Sequence, residues 1–194
     1  MENKRYILII ILLLLVKGVV SLVNNFSTPD SIVINNASYL FYKLADIACI
    51  LYLYRYINIL KGERISLISV VLIVAAILYF ITVKFLSIQI DKSNFSTNEI
   101  FLYQFFISIF PFILLFIGQL YISIQLIRNN INSRIGKAVR IVGITLMVEI
   151  LSFILIPLLT LSQTHIIFGI IVILPIGAMI NLYLNELKII NSSR

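Results

Sequence analysis

One cysteine and one histidine among 194 residues leave little room for several kinds of chemistry. A single thiol, Cys49, excludes an internal disulfide and any multi-cysteine metal site. A single histidine, His165, excludes the H-E-x-x-H arrangement of zinc proteases. A cysteine nucleophile paired with that histidine would require the two to meet. The helical rise places Cys49 roughly 15 Å deep in an apolar segment and His165 at the outer end of another, so contact is not expected. Of Asp30, Asp46 and Asp91 only Asp46 falls inside an apolar segment, which leaves a paired-aspartate protease without its second acid. P-loop, Rossmann glycine and G-x-S-x-G patterns are absent. An intramembrane enzyme is therefore the least supported class, and neither a cofactor nor a metal is expected.

Charge is scarce as well. Charged residues make up 12% of the chain and hydrophobic ones 61%, with a mean hydropathy of +1.09. A soluble domain carries roughly 25% charged residues and about half apolar ones. With charge halved, the chain cannot cover itself with a water-compatible surface, and an integral membrane protein is the class that remains. The net charge of +7 does not point to nucleic acid, because the basic residues are scattered between apolar runs and form no single face.

Six segments approach the ~20 apolar residues that cross ~30 Å of hydrocarbon: 6–23, 39–60, 65–90, 100–127, 139–161 and 166–187. Runs such as ISLISVVLIVAAILYF do not alternate as barrel strands would. The expected fold is all-α, one integral-membrane domain of six transmembrane helices. Eleven basic residues, among them Lys4, Arg5, Arg55, Arg64, Arg134 and Arg140, fall on one side of these spans and only Lys92 on the other. The positive-inside rule then puts both termini in the cytoplasm, with a bacterial plasma membrane as the expected location. The first span also resembles a secretory signal, but KGVVSLVNN after it holds no A-x-A cleavage site, so a retained helix is expected; cleavage would leave five.

The connections are short. NFST occurs twice, at Asn25–Thr28 and Asn94–Thr97, without extending into neighbouring helices, so composition accounts for it better than a repeat. Ser96 and Glu99 fit a capping box opening the fourth span. RNNINSRIGKAVR brings Ile131, Ile135 and Val139 to one helical face, with Arg134 and Lys137 off it. An ordinary basic inside loop accounts for it, with a short headgroup helix as the alternative. Pro111, Pro157 and Pro175 interrupt the last three spans, and Gly118, Gly169 or Gly177 offer places for close helix approach. Tyrosines 39, 42, 52, 54 and 56 at the ends of the second span read as an aromatic belt more readily than as a cage for a cation.

The informative charges are those inside the spans, where each costs ~2.5–3.5 kcal/mol on insertion scales and usually faces the bundle interior. Lys43 sits roughly 6 Å below the outer end of its span, within reach of the headgroups through its four-carbon stem. Arg55 does the same at the inner end. Asp46 is about 10 Å down on a side chain too short to escape. Glu149 is near the middle of the fifth span, with Thr145 and Ser152 on the same face. Lys17 and Lys84 lie roughly 9 Å from the outer ends of the first and third spans. Asp46, Glu149, Lys17, Lys84 and Lys43 thus form the candidate polar cluster, in the outer half of the bundle.

Two readings of that cluster stand. Either Asp46 pairs with Lys43 or Lys17, and Glu149 with Lys84 or a neutral hydrogen-bond network, holding the helices in register. Or the helices enclose a polar pocket for an ion or small polar solute. The first suits an accessory protein in immunity, regulation or assembly, the second a solute-binding or transport subunit; a second membrane subunit is a candidate partner beside the lipid bilayer. Six helices, both ends inside and fewer than 200 residues resemble, in size and topology, the substrate-binding subunits of energy-coupling vitamin transporters. The small-residue pattern of their first helix is not evident here, and no site residue is carried over.

Overall fold

A computed structural model describes residues 2–26, 32–60, 65–87, 99, 102–103, 105–129, 134–155 and 161–192. These residues are helical apart from short connecting pieces, and none is in a strand. Among the described residues six α-helices have defined bounds: α1 (Glu2–Phe26), α2 (Ile32–Arg55), α3 (Leu67–Ser87), α4 (Phe110–Ile127), α5 (Arg134–Leu155) and α6 (Leu161–Ser192). A π-helical turn, Tyr56–Leu60, continues α2, and another, Phe105–Ile109, leads into α4. By length and composition, Leu67–Phe85 and Phe105–Ile127 can cross a membrane.

The helices overlap the six apolar segments but differ at their ends. Helix α2 starts at Ile32, seven residues ahead of its segment, α5 starts at Arg134, five residues ahead, and α6 runs on to Ser192, five residues beyond. The basic stretch before residue 140 is therefore neither a plain loop nor a separate headgroup helix from Arg134 onward. It is the first turns of α5, with Ile135 and Val139 buried and Arg134 and Lys137 exposed. The apolar content of a segment marks where hydrocarbon-like contacts are made, whereas the hydrogen-bond ladder continues into polar sequence as long as no breaker intervenes. Ser96 of the expected capping box, and Ile131 of the basic stretch, lie outside the described residues.

Each helix packs on its neighbours in the chain, and α6 closes on α1, so the six form a ring. Two glycines set the spacing on one side of it. A Cβ on Gly118 would lie 2.9 Å from the Ser69 carbonyl oxygen and 2.8 Å from Ile73 Cγ1, so α4 lies almost against the α3 backbone. Gly143 brings α5 equally close to Ser123 and Leu126 of α4. Gly177 has nothing within 4 Å of such a Cβ and plays no part in close packing; the surroundings of Gly169 lie outside the described side chains. Pro111 sits in the first turn of α4, where a missing N–H costs nothing, and does not break it. Pro175 lies within α6. Pro157 lies outside the described residues.

At one end the ring is filled solid. Ile7, Tyr56, Ile57, Ile122, Leu126, Val139 and Leu182 are all essentially inaccessible. Tyr56 donates its hydroxyl to Glu186 Oε1 at 2.5 Å, tying the end of α2 to α6. Asn58 accepts from the Ile65 N–H at 2.6 Å and donates to the Ile65 carbonyl at 3.0 Å, while Gln125 of α4 accepts from the Ser66 N–H at 2.9 Å. Asn129, which donates to the carbonyls of Leu126 and Gly136, ties the end of α4 to the start of α5. Removing one donor to a buried charged acceptor costs about 1.5–3 kcal/mol. Tyr56→Phe should therefore lower the thermal midpoint by roughly 3–12 °C for a chain of this size. The melt is followed by circular dichroism, as the chain has no tryptophan; an unchanged midpoint would show that Glu186 is satisfied without Tyr56.

Candidate functional site

Above the filled end, the ring encloses a cavity of about 160 Å³ to which all six helices contribute. Three residues of helix separate its wall from the solid packing, a rise of about 4.5 Å. Leu53 lines the cavity and Tyr56 lies beneath it; Ile10 stands over Ile7, Val142 over Val139, and Met179 over Leu182. The floor is thus closed by four side chains that are at most 1% exposed.

Four of the five charged residues singled out in the sequence line this cavity: Lys17 from α1, Lys43 and Asp46 from α2, and Glu149 from α5. Lys17 Nζ donates to Asp46 Oδ1 at 2.5 Å, with 12% and 23% of the two side chains exposed. Of the partners open to Asp46 on sequence grounds, the structure selects Lys17 on the neighbouring helix. The Lys17 ammonium also stands 4.4 Å from the Tyr42 ring centroid, where the negative face of the ring favours a cation.

Glu149 is bonded by a neutral group. Gln119 Nε2 of α4 points between Glu149 Oε2 and the Leu146 carbonyl, 3.4 Å from each, which is long for a hydrogen bond. Thr145 lines the cavity one turn away but donates its hydroxyl to the Val142 carbonyl at 2.8 Å. Ser152, on the same side of α5 in the sequence pattern, bonds to its own helix at the Val148 carbonyl and does not line the cavity.

Lys43 keeps to the interior and does not simply extend along its own helix. Its ammonium lies 5.5 Å from the Phe80 centroid, 5.8 Å from Tyr39 and 5.9 Å from Tyr42. Tyr39 and Tyr42, read from sequence as belt residues, therefore stand against cations supplied by the chain itself. Lys84 is the cluster member set apart. It is not part of the cavity wall and lies 3.8 Å from the Tyr39 centroid. Arg55 is exposed at the opposite end of α2, 5.2 Å from the Tyr6 ring.

The structure also brings in residues that sequence reasoning did not single out for the site. Gln119 and Tyr42 complete the polar wall, and Cys49 borders it. A neutral glutamine in an apolar helix is a weak signal; only the geometry shows that it faces Glu149. Among the described residues no group of three histidine, cysteine or acidic side chains is placed to hold a metal ion. The His165 side chain is outside those described. The remaining wall is aliphatic, with Leu14, Ile73, Ile77, Leu115 and Leu146. Chemically, the site can offer an ammonium, a carboxylate, an amide and a phenol to a small molecule, within an apolar enclosure.

No protein-family model, curated protein or solved structure matches the chain.

Proposed function

We propose that the chain is a multi-pass membrane protein whose six helices cross the bilayer with both termini cytoplasmic, and whose central cavity binds or passes a small polar solute. One observation carries this reading: charged side chains from α1, α2 and α5 converge on a single cavity while the outward faces of the same helices are aliphatic. Leu12 and Val19 of α1, Leu44 and Leu51 of α2, and Ile144 and Leu151 of α5 are exposed. Ile68 of α3 is 72% exposed and Ile173 of α6 is 68% exposed. Side chains of that kind are tolerated in quantity where the solvent is lipid. The basic ends of α2 and α5 fall at the filled end of the ring, so the positive-inside rule directs the cavity toward the outer leaflet.

Neutralising the acids tests the reading. Uptake or equilibrium binding of a panel of labelled polar solutes should fall at least tenfold with Glu149→Gln, as expected for a lost charged hydrogen bond. Unchanged binding in a normally folded variant would remove Glu149 from the site.

The Lys17–Asp46 pair favours a second reading, because two charges already neutralised at 2.5 Å serve helix registry without a ligand. In that case the chain is a membrane accessory protein held to another subunit. Mild solubilisation should then recover it with a stoichiometric partner, and a protein that is always purified alone counts against this alternative.

A further inference from the structure

The cavity has balanced charges that are unequally engaged. Two lysines and two acids line it, and one of each, Lys17 and Asp46, are closed on one another. The other two, Lys43 and Glu149, make no ion pair with a described residue. Among the described residues neither has a hydrogen-bonded counter-charge: the Lys43 ammonium has aromatic rings at 5.5 Å and beyond, Glu149 has the long contact from Gln119, and the other charges of the cavity act on them only through space. A charge held in largely apolar surroundings without a hydrogen-bonded counter-charge is costly. A ligand bearing one charge would relieve one of these two groups and leave the other. A ligand bearing both relieves both and adds no net charge to the bundle.

We propose that the cavity takes a small zwitterion with a short aliphatic substituent, an α-amino acid with a branched apolar side chain being the chemical class. This rests on the reading of the cavity as a solute site and specifies its ligand. The ligand's carboxylate meets the Lys43 ammonium, and its ammonium meets the Glu149 carboxylate beside the Gln119 amide. Its side chain lies against Ile73, Ile77 and Leu115, which have no polar group to satisfy. Volume sets the upper limit. An apolar cavity of about 150 Å³ holds benzene, so about 160 Å³ admits a compact amino acid. Drug-sized and cofactor-sized ligands need roughly 300 Å³ or more.

The test uses the whole chain in detergent micelles and three probes of one shape: L-valine, isobutylamine, which is valine without its carboxylate, and isovalerate, which is valine without its ammonium. Calorimetric titration should show valine binding roughly tenfold to a hundredfold more tightly than either half-molecule, the effect of one charged hydrogen-bonded contact. Glu149→Gln should bring valine down toward isovalerate while leaving isovalerate unaffected. Lys43→Met should bring valine down toward isobutylamine. The comparison of the three probes on the unaltered protein stands even where a variant fails to fold. Either half-molecule binding as tightly as valine overturns the zwitterion and leaves the polar-solute reading in place. Binding by none of the three also overturns it; if a small thiol reagent then fails to reach Cys49 in the cavity wall, the solute reading falls with it.

Discussion

Asp46→Asn lowers the thermal midpoint of the protein by roughly 6–12 °C. The substitution keeps shape and hydrogen-bonding capacity but leaves the Lys17 ammonium, 12% exposed, without its counter-charge. Breaking a buried pair by removing one partner costs about 3–5 kcal/mol. Asp46 is 23% exposed and borders the cavity, so the lower end of that range applies. At about 2–4 °C per kcal/mol for a chain of this size, ~3 kcal/mol gives the stated shift. Replacing both partners with apolar residues removes the stranded charge, so Lys17→Met with Asp46→Leu should recover most of the loss. Circular dichroism melts of the two single variants and the double variant measure the coupling directly. Additive losses would show that the pair contributes nothing as a pair.

Gly143→Leu has the larger effect: the folded protein should fail to accumulate. The Cβ alone would meet Leu126 Cβ at 2.8 Å and the Ser123 carbonyl oxygen at 2.9 Å, and backbone cannot step aside as a side-chain tip can. The remaining leucine atoms have to push α5 off α4 along their contact. Gly143→Ala isolates the first step. Overpacking costs about 1–3 kcal/mol, against about 1 kcal/mol gained in helix propensity, so the net loss is about 0–2 kcal/mol. Gly177→Ala gains the propensity term without the clash and should stabilise by up to about 1 kcal/mol. Yield of monodisperse protein and melting temperature separate the three. A well-folded Gly143→Leu protein would mean that α4 and α5 do not approach as closely as described.

The arrangement was partly legible in the sequence, for physical reasons that differ between residues. Asp46 stood out because a short acidic side chain deep in an apolar run has no route to water, and the same logic marked Glu149. Lys17 was a candidate partner for Asp46, yet only the helix rotations could choose it over Lys43. Lys43 could equally have extended to the headgroups; its stem length allows either path, and the aromatic surfaces of Tyr42 and Phe80 decide the outcome. Lys84 illustrates the opposite case. Equal depth on a third helix suited it to the cluster, but depth fixes height alone, and its azimuth carries it to Tyr39 outside the cavity wall.

Neutral and small residues were harder to place. Gln119 carries no charge to make its position costly, so its sequence context held no sign that it faces Glu149. Gly143 belongs to no G-x-x-x-G pattern, and its close approach depends on the partner helix. Glu186 sat one residue from the end of the last apolar segment, where an acid needs no special explanation. Because α6 continues to Ser192, Glu186 is instead inside the packing, 3% exposed and bonded to Tyr56. The extent of a helix beyond its apolar stretch was the missing quantity.

The natural cysteine provides the most direct test of a solute cavity opening toward the outer side of a membrane bundle. Cys49 lies in the cavity wall between the charged residues and the closed floor, and the chain has no other thiol. In intact cells, a small membrane-impermeant methanethiosulfonate added from outside should modify Cys49, and a saturating solute that occupies the cavity should slow that reaction at least tenfold. Cys49→Ser supplies the background. Modification that occurs only after denaturation, at the same rate with and without solute, would show a sealed polar core and contradict the account.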